Sequence, residues 1–175
     1  KLSNIQPSKF WDNSVSLKDI KMLNNFLWLN LIDRKNDIEI IKKIISNWIE
    51  RNNKYKKIIW SNSILSNRII SWILNSDIIL SKPDERFKTL FFNSIIIQIN
   101  HLKKNIKFED DYEKKIENLS AILLSGLVFK ECSENFDIAS KELEKILSSF
   151  FDKDGFPFNR NPESLLKISK YLVLI

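Results

Sequence analysis

The segment FFDKDGFPFNRNPES, residues 150–164, decides how this chain must be laid out. It contains one of only two glycines and two of the four prolines, so it is where the backbone is most clearly told to leave one helix and enter another. Asp154-Gly155 is a turn pair, because glycine accepts a positive φ without a Cβ clash. Asn161-Pro162-Glu163 reads as a helix start: Asn161 can cap, Pro162 is pre-shaped for the first helical position, and Glu163 suits the positive end of the helix dipole. Between these signals lie Phe156, Phe158, Asn159 and Arg160, an aromatic, amide and guanidinium load that a plain helical corner does not require.

Working outward, helical periodicity dominates. Ser16 and Asp19 form a helix-start box, followed by Ile20, Leu23, Leu27 and Leu31 at helical spacing to about Ile32. A polar break at 34–36 precedes a helix that Asp37 can cap, with Ile41, Ile45, Trp48 and Ile49 on one face, ending near Asn52-Asn53. A basic loop over 54–57 leads to the segment 60–80, where Ser61 or Ser63 starts a helix. Leu65, Ile69, Trp72, Ile73 and Leu80 face its core, and Arg68 and Trp72 lie four apart on one side. Pro83 opens a helix running to about Lys104. Glu109, Asp110 and Asp111 crowd the first turn of the next, which ends in an apolar run (121–129) interrupted by Ser125 and Gly126, small residues that permit close backbone approach. A further helix from 133–135 carries Ile138, Leu143, Ile146, Leu147 and Phe150 inward, and the last one starts at Pro162.

No segment alternates with period two, so the fold class is all-α: about seven helices in successive antiparallel pairs, arranged as a bundle, a solenoid or a toroid of hairpins. An extended lead-in over 1–15, anchored by Phe10 and Trp11, precedes the helical domain over 16–175. At 175 residues the chain is long enough for one domain that buries about 70% of its unfolded surface. The first residue is Lys and the last residues, Tyr-Leu-Val-Leu-Ile, lie inside a fresh helix, so both ends are expected to be cuts in a longer protein.

Composition removes several function classes. With one cysteine (Cys132) and one histidine (His101) there is no disulfide framework and no Cys/His zinc pattern, and no cofactor is implied. No apolar run approaches the ~20 residues of a membrane span, and no signal peptide opens the chain. The net charge of +6 suits a polyanionic partner, but the lysines are scattered and no Lys/Arg run exceeds two, which argues against a nucleic-acid arm. Five Arg persist where Lys is the default cation, suggesting fork-shaped work for some of them.

Trp60, Arg68-Ile69-Ile70-Ser71-Trp72, Asn118 to Leu127 with its Leu-Leu-Ser-Gly-Leu end, Asp154-Gly155 and Asn159-Arg160-Asn161-Pro162 occur in an order and spacing that resembles the N-terminal helical region of bacterial heparinase II/III-like proteins. Asn25 to Asn30 resembles that family's Asn-Leu-rich opening helix. The resemblance covers nearly the whole chain. It implies part of an incomplete (α/α) toroid, truncated at its C-terminal end and normally followed by more helices and a β-sandwich. It also implies a bacterial periplasmic or envelope setting and an acidic polysaccharide substrate cleaved by β-elimination. That reaction needs a group to neutralise the uronate carboxylate, a base for the adjacent proton and an acid for the leaving oxygen.

On this reading Arg68, Trp72, Asn159 and Arg160 line a substrate cleft, Trp stacking on a sugar face and Arg pairing with carboxylate or sulfate. Each has a second reading: Trp72 as core, and Arg68 and Arg160 as ties to helix-end carbonyls. The sequence departs from the lyase pattern where the chemistry sits. The Asn-His pair of characterised lyases falls by offset at Glu113-Lys114, their Tyr-His at Ser164-Leu165, and a His found in some relatives at Pro157. No catalytic residue is therefore assigned. A non-catalytic helical scaffold binding a glycan or a protein is the alternative.

Overall fold

The computed structural model describes residues 6, 9–13, 16–34, 37–82 and 84–175. The Pro83 helix opening, most of the 1–15 lead-in and two residues of the polar break at 34–36 lie outside the described residues. Among those described, the structure is all-α, with one isolated β-bridge and no strands. The α-helices are α1 (Leu17–Asn24), α2 (Ile38–Asn52), α3 (Asn62–Leu74), α4 (Ser76–Ile79), α5 (Glu85–Asn105), α6 (Tyr112–Val128), α7 (Glu134–Phe150) and α8 (Pro162–Leu172). The chain divides into two compact units, Lys1–Gln98 and Ile99–Ile175, with the boundary inside α5.

In the first unit, α1 starts as the sequence indicates. The Asp19 N–H donates to Ser16 Oγ (3.1 Å) and the Ser16 N–H donates to Asp19 Oδ2 (3.0 Å). It stops eight residues short of Ile32, because the amides of Asn24 and Asn25 compete with the helix ladder. Asn24 Nδ2 donates to Ile20 O (2.8 Å), Asn25 Oδ1 accepts from the Leu27 N–H (3.0 Å), and Phe26 takes φ 59°. The chain re-enters a 3-10 turn over Leu27–Leu31, which leaves Leu31 exposed rather than on a buried stripe. The reversal pushes the Phe26 ring, fully buried, into a cluster where it meets Trp11, Trp28, Trp48 and Trp72 at centroid distances of 5.2–5.6 Å. Aromatic pairs at these separations stabilise beyond their area burial, and here they hold a left-handed non-glycine residue in place. The Ser71 hydroxyl adds a 2.6 Å bond to Phe26 O.

Helix α3 is buried on every side from Ile64 to Ile73, not along one face. It ends at Asn75, whose side chain donates to Ser71 O (2.9 Å), so α4 is a separate short turn. At the start of α5 the Asp84 carboxylate accepts from the Phe87 N–H (2.7 Å), doing the capping work.

The second unit is organised by α6, buried continuously from Ile116 to Ser125. Asp111 caps it, accepting from the N–H groups of Glu113 (2.9 Å) and Lys114 (3.2 Å), so Glu109 and Asp110 precede the helix. Helix α7 packs along it, with Gly126 against the first turn of α7 and the Tyr112 ring 6.4 Å from that of Phe150 at the other end. The two helices therefore run antiparallel. Asn135, Ala139, Leu143 and Ile146 form the buried stripe of α7; Ile138, expected inward, lies one position off it and is half exposed. No described helix is long and apolar enough to cross a membrane.

A Cβ on Gly126 would sit 2.4 Å from the backbone nitrogen of Phe136 and 3.0 Å from its Cα. A mid-helix Gly→Ala change ordinarily gains about 1 kcal/mol. Here the sign reverses: Gly126→Ala is expected to cost roughly 1–3 kcal/mol through the forced backbone shift, measured as a lower urea midpoint.

Candidate functional site

The 150–161 corner is a miniature hairpin hung on one carboxylate. Phe151 and Pro157 form an antiparallel bridge, and the Phe158 N–H donates to Phe150 O (3.0 Å). Inside it, Asp152 Oδ1 accepts from the N–H groups of Asp154 and Phe156, each at 2.9 Å. Gly155 turns the chain at φ 80°. Asp152 Oδ2 pairs with Arg160 Nη2 at 2.6 Å, and the same guanidinium lies 5.5 Å from the Phe156 ring centre. Arg160 itself stands at φ 52°, a left-handed conformation that costs a non-glycine residue about 1–2 kcal/mol. Beyond it the expected helix start holds: the Glu163 N–H donates to Asn161 Oδ1 (2.9 Å), with Pro162 in the first turn.

Asn159 is used at both ends. Its Oδ1 accepts from the Asn161 N–H (3.0 Å), and its Nδ2 donates to Ser164 Oγ (3.1 Å). The Ser164 hydroxyl in turn donates to Glu113 Oε1 in a short hydrogen bond. Lys167 reaches Glu163 Oε1 at 2.9 Å and Glu113 Oε2 at 3.6 Å; Glu163 first, then Glu113, raises its pKa. A row of carboxylate, hydroxyl, amide, ammonium and guanidinium groups thus joins the start of α6, the corner and the start of α8. Its Arg160 side chain remains 63% exposed, enough to offer N–H donors to a carboxylate or sulfate.

Arg68 and Trp72 sit elsewhere, in the interior of the first unit, both fully enclosed. Trp72 packs edge-on to Trp48 (5.6 Å) and tilted against Phe91 (5.1 Å). The Arg68 guanidinium stands 4.3 Å from the Trp48 ring centre. Its Nε donates to Gln98 Oε1 (2.5 Å), and its Nη1 to Asn24 O (2.9 Å) and Ile59 O (3.2 Å). Asn24 is the last residue of α1, so Arg68 neutralises the negative end of that helix. Among the described residues no carboxylate pairs with it, and burial pushes its pKa down to about 9, still a cation at neutral pH. The four sequence-selected residues thus divide between the units: Arg68 and Trp72 in the core of one, Asn159 and Arg160 exposed in the other.

Three partners were not singled out as functional from the sequence. Asp152 had a signal, the Asp-x-Asp-Gly spacing of an Asx turn. Glu113 and Ser164 were marked only as positions where the residues of the resembled lyases are missing, and their own hydrogen bond, across 51 positions, had no local signal. Asn118, at the head of the Leu-Leu-Ser-Gly-Leu helix, is fully buried with neither end of its amide hydrogen-bonded among the described residues. His101 is half-buried in α5 and held below its usual pKa by burial and then Lys104. Compared with known family models, with curated proteins and with solved structures, the chain finds no match in any of the three.

Removing the Arg68 guanidinium strands three buried acceptors. Arg68→Ala is expected to cost about 1–3 kcal/mol for each acceptor left unsatisfied, and Arg68→Lys to recover only part, since an ammonium cannot span the three carbonyl directions; urea unfolding followed by Trp fluorescence measures both. For Asp152, the Phe156 N–H first, then the Asp154 N–H and Arg160, hold the pKa below the usual carboxylate value against partial desolvation. A depressed carboxylate contributes stability above its unfolded pKa of about 3.9, and loses it as pH falls through the lower folded value. The Phe156 amide resonance should therefore shift on acidification below about pH 4, and lose most of that shift in Asp152→Asn.

Proposed function

We propose that the chain is the N-terminal helical part of a heparinase II/III-like protein, built of helical hairpins belonging to an (α/α) toroid, that holds an acidic polysaccharide for β-elimination. One observation carries this reading. Glu113 and Ser164 are the two positions at which the resemblance puts the Asn-His and Tyr-His pairs of the lyases, and here they are hydrogen-bonded to each other. Arg160 then serves as the carboxylate- or sulfate-binding group, pre-aimed by its left-handed backbone and its tie to Asp152.

A second reading has its own support. The positions that meet carry Glu, Lys, Ser and Leu instead of imidazole and phenol, and Arg68 and Trp72 are bound up in core packing. These facts favour a glycan- or protein-holding scaffold without chemistry.

Incubating the full-length protein with a panel of acidic polysaccharides separates the two. Absorbance rising at the unsaturated-uronate band supports a lyase; binding without any rise supports the scaffold. Arg160→Ala is expected to weaken binding roughly ten- to a hundredfold, the worth of one charge-assisted hydrogen bond, while unchanged affinity removes Arg160 from the site. Arg160→Gly should weaken binding equally yet preserve stability, because glycine tolerates the φ of 52°.

A further inference from the structure

The first unit contains a cavity of about 420 Å3 beside the turn between α2 and α3. Its wall includes Trp11, Asn24, Arg51, Lys56, Lys57 and Ile59, and no carboxylate lines it among the described residues. The three cations are held differently. Arg51 pairs with Asp12 at 2.7 Å. Lys56 is pinned at the carboxyl end of α2, donating to Arg51 O (2.9 Å) and Asn52 Oδ1 (3.0 Å). Lys57 has no hydrogen-bond or ion-pair partner among the described residues. Immediately behind the wall lies a fourth cation: the Arg68 guanidinium donates to the carbonyls of Asn24 and Ile59, both cavity residues, and its Nη2 is buried with no hydrogen-bond partner. Arg51 is offset by Asp12, and Lys56 and Arg68 by the carbonyl ends of α2 and α1, so the net positive charge beside this space is carried by Lys57, backed by donors already oriented around it.

We propose that this cavity binds an oxyanion, the carboxylate or sulfate of a sugar residue, with Lys57 as the adjustable contact, Lys56 and Arg51 as fixed ones and Trp11 flanking the ring. The saccharide half rests on the function proposed above; the oxyanion half stands on the cavity alone. Trp11 is suited to flanking because its indole is wedged between Phe10 (4.8 Å) and Phe26 (5.4 Å) while remaining partly accessible, and a ring fixed in that way stacks on a ligand at little entropic cost.

The test is an NMR titration of the whole chain with inorganic sulfate, a uronate disaccharide and its neutral analogue. It is followed on the Trp11 indole and Lys57 amide resonances, in wild type, Lys57→Ala and Lys57→Glu. Lys57 is exposed and unpaired, so neither variant should unfold the chain. The expected result is saturable shifts with sulfate and the uronate, absent with the neutral sugar, and at least fivefold weaker in both variants. Shifts that are equal in wild type and variants, or missing for both anions, overturn the proposal. Sulfate binding that Lys57→Glu abolishes, with no binding of the uronate, supports the oxyanion site while removing its sugar, and so isolates a failure of the polysaccharide reading from a failure of the cavity.

Discussion

A buried guanidinium held by neutral oxygens and an aromatic face is the constraint on which the first unit depends. Arg68 on α3 reaches the carbonyl end of α1, the turn before α3, Gln98 of α5 and the face of Trp48 on α2. Desolvating a cation is costly unless dipoles replace the water it loses. Two backbone carbonyls, an amide oxygen and an aromatic quadrupole do that here, and each must stay where it is. Four helices are thus located by one side chain that tolerates little displacement in any of them. The left-handed turn at Phe26 follows from the same geometry: α1 has to stop at Asn24 for its last carbonyl to face the guanidinium, and the aromatic cluster absorbs the strain of the reversal.

The second unit uses a different device. Its helices α6 and α7 approach so closely at Gly126 that no side chain fits between them, and the corner after α7 is stiffened by Asp152 rather than by core packing. A carboxylate that takes two backbone N–H groups and an arginine fixes a short hairpin without burying it. That is how Arg160 comes to be held and yet exposed, a combination that suits recognition more than stability. The strain at its backbone is a further sign that the conformation is imposed by the surroundings.

The two positively charged features answer different chemical needs. At the corner, a single oriented guanidinium sits among groups that already satisfy one another, which favours a directional contact with one carboxylate. At the cavity in the first unit, Arg51 and Lys56 are already engaged by Asp12 and the end of α2, and Lys57 alone stands without a partner among the described residues. The scattered lysines that make the chain basic contribute a background attraction for anions, screened within about a Debye length.

Much of this was legible in the chain itself. The helical class, the enclosed apolar run of α6, the close approach at Gly126, the Gly155 turn and the Asn161-Pro162 helix start are local consequences of side-chain size, φ preference and periodicity, and such properties travel with the residues. The length of α1, the placement of Ile138 and the fates of Arg68 and Trp72 did not travel in that way. An Asn-Asn-Phe step is compatible with a continuing helix until its neighbours offer other bonds, and an arginine four residues from a tryptophan reads equally as a cleft or as a core. Which it is depends on what closes over it, and the groups that do so, Asn24 and Gln98, stand 44 and 30 positions away. Sequence alone determined the helical class and the bend at the Asp154-Gly155 corner; only the tertiary structure decided where α1 stops and which of the cations face water, because the cost of burying a charge is set by partners that proximity along the chain does not supply.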